Sequence, residues 1–180
     1  MRSFVVSAWL LLFATAEYVP KVNGALGDTP LIKAVNWNNL ELVKRLLDNG
    51  ADAKATNSYG NTALMSAAVY GTNELVELLL LKSNVKATNN GGWSSLIYAA
   101  YRGRNKMVEL LLPKSDAKAT ENDGYTALMY AAKYGSYKVK LMELLLPMSD
   151  TKATTKSGYT ALMFATMSGR DTFVELLLPK

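Results

Sequence analysis

The chain contains no cysteine and no histidine in its 180 residues. Those two absences remove Ser–His and cysteine nucleophiles, zinc held by His or Cys, disulfide crosslinks and lipid attached through a cysteine. A chain without cysteine fits an oxidising compartment but does not require one. Charge is also sparse, at 19% of residues, and 20 Lys and Arg against 15 Asp and Glu leave a net +5. That is mildly basic, far from a polycation. Phosphate loops are missing: Gly91-Gly92 has neither the Lys-Ser/Thr nor the preceding strand that such a loop needs. Carboxylates are not paired for acid–base work, because Glu77, Glu109, Glu143 and Glu175 recur singly, 32 or 34 residues apart. On packed helices they would stand about 10 Å from one another, and they read as a solvated stripe. No enzyme, metal site or cofactor is expected.

What is present is repetition. Gly-Asn-Thr-Ala-Leu-Met-Ser-Ala-Ala from Gly60 returns as Gly-Trp-Ser-Ser-Leu-Ile-Tyr-Ala-Ala from Gly92 and Gly-Tyr-Thr-Ala-Leu-Met-Tyr-Ala-Ala from Gly124. A fourth copy runs from Gly158, and Asp28-Thr-Pro-Leu-Ile-Lys-Ala-Val35 is a degenerate one before them all. Leu31, Leu64, Leu96, Leu128 and Leu162 mark steps of 33, 32, 32 and 34 residues. A fixed period of this size means a stacked array.

Each unit reads as two short helices and a polar loop. In the second, Thr62 is placed to cap a helix whose face is Ala63, Leu64, Ala67 and Ala68, and Gly71 stops it through a left-handed conformation. Leu75, Val76, Leu78, Leu79 and Leu80 form the second helix, and Asn84 to Thr88 leads to the next unit. Small alanines let the two helices lie close. Neither buries its apolar face alone, so the neighbouring unit has to cover it.

On these residues the chain resembles the ankyrin-repeat family. The resemblance rests on Thr-Pro-Leu at Thr29 and Thr-Ala-Leu-Met at Thr62, Thr126 and Thr160. It includes the pairs Ala67-Ala68, Ala99-Ala100 and Ala131-Ala132, Val-Glu-Leu-Leu at Val76, Val108 and Val174, and Asn49-Gly-Ala-Asp52. It covers five units, 28–56, 57–88, 89–120, 121–154 and 155–180. The fold it implies is an all-α solenoid of stacked helix-turn-helix units with hairpin-like loops.

The departures from the family pattern carry information. The family's histidine after Thr-Pro-Leu, which helps fix the loop, is replaced by Ile32, Met65, Ile97, Met129 and Met163, so the loops must be held another way. Asn38 stands for the interhelix glycine of the first unit, and Asn tolerates the left-handed region. Pro113, Pro147 and Pro179 should end their helices sharply. The fourth unit is two residues longer between Gly135 and Leu144 than the third is between Gly103 and Leu110, which calls for a bulged turn near Ser136 to Lys140.

One long apolar run lies outside the array. Met1-Arg2 is followed by Phe4 to Ala14, then Ala14-Thr-Ala16 and Glu17. A positive start, about 7–15 apolar residues and an A-x-A site make a secretory signal peptide. The run is short of the roughly 20 residues that span a bilayer. Residues 1–16 are therefore read as a leader cut after Ala16, the alternatives being an uncut anchor or a capping helix for the array, with 17–27 as a lead-in and 28–180 as the repeat domain of a secreted or periplasmic protein. Cleavage would remove Arg2 and no acid, leaving +4.

In this family partner proteins are met by the hairpin tips and the exposed ends of the first helices. By register, the tip positions hold Tyr59, Asn61, Trp93, Tyr125 and Tyr159, and the helix-end positions hold Trp37, Tyr70, Tyr101, Arg102, Lys133 and Tyr134. Ten tyrosines and three tryptophans are many for a solenoid, and Tyr, Trp and Arg dominate binding hot spots. Tyr98, Tyr130 and Phe164, where the family buries a leucine, read as internal packing. The resemblance thus implies a partner-binding concave face, with no small-molecule substrate. The alternative is an anionic polymer or membrane surface bound by a ladder of Lys54, Lys86, Lys118 and Lys152, nucleic acid being disfavoured by the low net charge. The last unit would carry Phe173, Leu177 and Leu178 outward, which fits a frayed last helix, a longer parent chain, or self-association, the last of which sedimentation at rising concentration tests.

Overall fold

A computed structural model describes residues 27–134 and 139–178. The leader at 1–16, nearly all of the lead-in at 17–27, most of the longer turn of the fourth unit and Pro179 lie outside them. Each described unit starts with a hydroxyl residue just ahead of a small, apolar run. Thr29, Thr62, Ser94, Thr126 and Thr160 each accept a hydrogen bond from the backbone N–H three residues on, at 3.2 or 3.3 Å. Such a cap is worth about 1 kcal/mol. The helices they start are α1 (Pro30–Asn36), α3 (Ala63–Tyr70), α5 (Ser95–Tyr101), α7 (Ala127–Tyr134) and α9 (Ala161–Met167). The second helices are α2 (Leu40–Asp48), α4 (Asn73–Leu80), α6 (Asn105–Leu111), α8 (Val139–Leu145) and α10 (Asp171–Leu177).

Helices of seven to nine residues are unstable alone in water. Here first helices stack on first helices and second on second, forming one continuous core. The repeated leucine is its centre: Leu31, Leu64, Leu96 and Leu128 are buried, and truncating such a residue to alanine costs about 2–5 kcal/mol. Ile32, Met65, Ile97 and Met129, where the family has histidine, are buried in the same core, and Met163, which no described helix covers, is 48% exposed. The apolar replacement is therefore a packing residue between units. Glu77, Glu143 and Glu175 face solvent and Glu109 is half-buried, as a solvated stripe requires.

Three local readings are corrected. Gly71 ends α3 without a left-handed conformation, since its φ is −75°. Glycine is needed there for room: a Cβ would lie 2.9 Å from both the Cα and the carbonyl oxygen of Ala67. The turn differs because Thr72 caps α4 through its hydroxyl, while its N–H donates to the Asn38 side chain of the preceding unit. Pro113 and Pro147 do not stop the chain abruptly but sit in 3₁₀ turns, Leu112–Lys114 and Leu146–Met148, that extend α6 and α8. Phe173 is buried instead of facing outward and Leu177 is half-buried, and among the described residues of the last unit the large exposed side chains are Tyr159, Met163, Met167 and Leu178. Asn38 behaves as expected, with φ 53°.

Candidate interaction surface

The loops that carry the tip residues are tight hairpins closed by bridges Thr56–Thr62, Thr88–Ser94 and Thr120–Thr126. One side chain organises each. Asn57 Oδ1 accepts the N–H groups of Tyr59 and Asn61, and Asn89 Oδ1 those of Gly91 and Trp93. Glu121, only 6% exposed, accepts from Asp123 and Tyr125, and the Thr155 hydroxyl accepts from Tyr159. Successive hairpins are then tied to each other. Asn90 N–H donates to Tyr59 O at 3.1 Å, Asn122 N–H to Gly91 O at 2.9 Å, and Lys156 N–H to Asp123 O at 2.9 Å. This is what holds the loops without the family histidine. The organising residues were missed in the sequence, although an acceptor recurs three residues before each tip glycine, Gly60, Gly92, Gly124 and Gly158.

Two aromatic layers rest on that scaffold. The inner one is a ribbon of rings running Tyr98, Trp93, Tyr130, Tyr125, Phe164, Tyr159, each pair stacked except Trp93 and Tyr130, which are tilted by 35°. Consecutive centroids lie 4.9, 4.7, 5.0, 5.2 and 5.5 Å apart. Trp93 and Tyr125 are thus each sandwiched between a ring of their own unit and a ring of the next, and Tyr159 stacks on Phe164 of its own unit, contacts worth about 0.5–1.5 kcal/mol per pair beyond burial. Tyr130 and Phe164 are buried as expected, and Tyr98 is half-buried, bonded to Asn89 and Asn61. Trp93 and Tyr125 are also half-buried, so most of their ring area is taken up by the array. Asn61, the equivalent of Trp93 one unit earlier, is polar and accepts from Asn89 at 2.7 Å. Burial and the nearby Glu121 carboxylate push the Tyr130 phenol far above its ordinary range, and burial raises Tyr98 as well.

The outer layer is open. Trp37 and Tyr70 are each 62% exposed and Tyr59 71%, while Tyr101, Tyr134 and Tyr159 are exposed to a lesser degree. Tyr101 and Tyr134 meet edge to face at 5.3 Å. Two cations are set among these rings. The Arg102 guanidinium lies 5.7 Å from the Tyr70 centroid and 5.8 Å from that of Tyr101. The Lys133 ammonium lies 5.1 to 5.2 Å from Tyr125, Tyr134 and Phe164 and donates to the Tyr125 hydroxyl at 3.3 Å. Burial pulls the Lys133 pKa down, but hydrogen bonds to the Tyr125 and Tyr134 hydroxyls outweigh it and leave it raised. Lys133 is therefore a fixed positive charge.

Charge is sorted between the two helix layers. None of α1, α3, α5, α7 and α9 contains Asp or Glu. Every second helix does, through Glu41, Asp48, Glu74, Glu77, Glu109, Glu143, Asp171 and Glu175. Lys54, Lys86, Lys118 and Lys152 are all exposed, and the N–H of each donates to a side chain two residues earlier: Asp52, Asn84, Asp116 and Asp150. Three of the four lysines thus have a carboxylate beside them. Two further arginines bind repeats together: Arg104 donates to the Val69 carbonyl, and Arg170 to those of Ala131 and Lys133. Cations at these helix ends also suit the helix dipole.

A family model for ankyrin repeats matches the chain three times, over residues 7–90, 71–147 and 96–180. The chain belongs to the ankyrin-repeat family. Ankyrin repeats bind other proteins, and the array seen here is the family's all-α solenoid. Among curated relatives, the chain is 35% identical over 79 residues to an ankyrin repeat protein of Acanthamoeba polyphaga mimivirus, which is 42% of this chain and 48% of that protein. It is 45% identical over 53 residues to the mitochondrial disaggregase of Homo sapiens, 29% of this chain and 8% of that protein. It is 46% identical over 54 residues to an E3 ubiquitin-protein ligase of Arabidopsis thaliana, 30% of this chain and 10% of that protein. The chain spans less than half the length of each. In the last two the likeness is confined to a small part of a much larger protein.

Proposed function

We propose that the chain is a non-enzymatic binding module that holds a protein partner against its first-helix ends and hairpin tips. The contact residues are Trp37, Tyr59, Tyr70, Tyr101, Arg102, Lys133, Tyr134 and Tyr159, with Trp93 and Tyr125 supporting them from beneath. The observation that carries this reading is the open outer layer, in which large rings stay exposed one unit after another. Rings of this kind bury much area at small entropic cost, and a rigid array loses little freedom on binding. Binding of a polyanion by Lys54, Lys86, Lys118 and Lys152 is less supported, because neighbouring carboxylates dilute the field of that ladder.

The test is affinity capture with the full chain, beside a Trp37→Ala/Tyr70→Ala/Tyr134→Ala variant and a variant with all four ladder lysines changed to alanine. Circular dichroism should report both as folded, since the substituted groups are exposed. Loss of retained proteins by the aromatic variant alone is expected. Loss by the lysine variant alone, with release at moderate salt, would transfer the function to the ladder.

A further inference from the structure

We infer that the partner is anchored by a carboxylate side chain, Asp or Glu, that closes on the Arg102 guanidinium at the joint of the second and third units. The inference rests on the proposed reading of the first-helix ends as a protein-binding surface and says which chemical group that surface takes.

The state of the guanidinium is the first argument. Arg102 is the C-cap residue of α5, and it is exposed. Its guanidinium lies 5.7 Å from the Tyr70 centroid in the preceding unit and 5.8 Å from that of Tyr101 in its own. Among the described residues it has these ring contacts but no hydrogen-bond acceptor and no ion pair. A guanidinium is a planar fork of N–H donors that stays charged, so this fork is held and unspent. Arg104 and Arg170 are different, because both are bonded to backbone carbonyls. Lys133 is different too. It is half-buried, packed on rings of the fourth and fifth units, and its ammonium is bonded to the Tyr125 and Tyr134 hydroxyls. Lys133 therefore supplies a field, and Arg102 supplies open donors.

Local charge is the second. Arg102, Arg104 and Lys106 crowd the turn from α5 into α6, and of the three only Lys106 has a carboxylate among the described residues, Glu109 at 3.4 Å. Arg104 registers the crowding: burial first, and then the Arg102 charge, lower its pKa. The first helices hold no acid, and Glu121 on its hairpin is buried and bonded to two backbone N–H groups. An arriving carboxylate would pair with one arginine and relieve its repulsion of the other.

Exposed ion pairs between two flexible side chains contribute little, since ordering both offsets the attraction. Arg102 departs from that case. Two rings place its fork beforehand, and a carboxylate can meet that fork with two parallel hydrogen bonds. The expected contribution is therefore roughly tenfold in affinity, in place of the small factor of a free surface pair.

The experiment selects a phage-displayed library of random linear peptides on the full chain and on Arg102→Glu, both checked as folded by circular dichroism. Peptides kept by the unaltered chain should be enriched in Asp and Glu, and those kept by Arg102→Glu in Lys and Arg. One acidic peptide is then synthesised with a fluorescein label and titrated by anisotropy. Arg102→Ala should weaken it roughly tenfold, Arg102→Lys should restore only part, and Lys133→Gln should cost about twofold. Changing the peptide's acidic residue to arginine should recover binding to Arg102→Glu. No acid enrichment on the unaltered chain, or no selected peptide at all, overturns the inference. So does acid enrichment that survives Arg102→Glu, or a peptide lost to the four-lysine ladder variant and not to Arg102→Ala. The broader reading of the surface fails separately, if the Trp37→Ala/Tyr70→Ala/Tyr134→Ala variant still retains the captured proteins.

Discussion

Gly92→Ala and Gly158→Ala make the same chemical change at nearly the same backbone geometry, with φ of +79° and +81°. Both place a Cβ in the left-handed region, at about 1–2 kcal/mol. Their surroundings differ. At Gly92 the new methyl would lie 2.9 Å from the Asn122 nitrogen, the Asn122 Oδ1 and the Glu121 Cα, two of them backbone atoms of the next hairpin. At Gly158 nothing lies within 4 Å. The next hairpin must therefore move at Gly92, which adds about 1–3 kcal/mol of overpacking. It also endangers the Asn122 to Gly91 hydrogen bond, worth about 1 kcal/mol. The expected losses are about 2–5 kcal/mol for Gly92→Ala and about 1–2 kcal/mol for Gly158→Ala. Urea unfolding followed by circular dichroism measures both. Amide exchange in the fifth unit guards against that unit opening by itself, as end units of an array can. Gly60→Ala should resemble Gly92→Ala, since its Cβ would stand 2.9 Å from the Asn90 nitrogen. Losses equal to within about 0.5 kcal/mol at Gly92 and Gly158 would show that stacked hairpins contribute nothing, and the account of the loops would fall.

Three further outcomes follow from the same geometry. Trp93→Ala removes ring contacts at 4.7, 4.9 and 5.6 Å and should cost about 3–5 kcal/mol, whereas Trp37→Ala, on an exposed ring, should stay within about 0.5 kcal/mol. Thermal melting distinguishes them, and a neutral Trp93→Ala would dissolve the inner ribbon as a structural element. Glu121→Ala leaves two N–H groups without their acceptor and should cost about 2–4 kcal/mol, with Glu121→Gln milder because one oxygen survives. Equal melting temperatures for all three forms would remove Glu121 from its organising role. Tyr98, Tyr130 and Lys133 all have folded pKa values raised above their unfolded ones, so the folded state holds their protons more tightly. Their contribution is complete below the unfolded values, near pH 10, and is lost as pH climbs through the folded ones. Stability should therefore decline above about pH 10, and less so in Tyr130→Phe; an identical decline in that variant would contradict the assignment.

The period, the helix pairs and the caps were legible in the sequence because they depend on local chemistry repeated in register. Thr62 caps its helix and Leu64 fills the core for reasons contained within one unit. What escaped were relations between units. Gly71 looks like any helix-stopping glycine until Thr72 is seen to bond Asn38 a unit away, which changes the turn and makes the glycine a matter of space. Trp93 and Tyr125 look like exposed anchors because the tip register exposes Tyr59, yet Tyr98, Tyr130 and Phe164 supply rings to receive them where Ser66 does not. The family histidine has a visible absence and an invisible substitute, because Asn57, Asn89, Glu121 and Thr155 share a function without sharing a residue type.

The two aromatic layers divide the array along its length. The inner ribbon begins only at Tyr98, since the second unit has Asn61 and Ser66 where later units have rings. The earlier units, lacking that ribbon, leave their aromatics freest: Trp37, Tyr59 and Tyr70 are more exposed than Tyr101 or Tyr134. The later units spend ring faces on one another and on Lys133, and so present a fixed charge on a rigid floor. A surface built this way offers adaptable apolar contact over its first half and oriented electrostatic contact over its second. On the proposed reading, a partner segment would run with its apolar end toward Trp37 and its acidic end toward Lys133. Reversing such a segment would put carboxylates over Trp37, and the polarity of binding would then come from the order of the units.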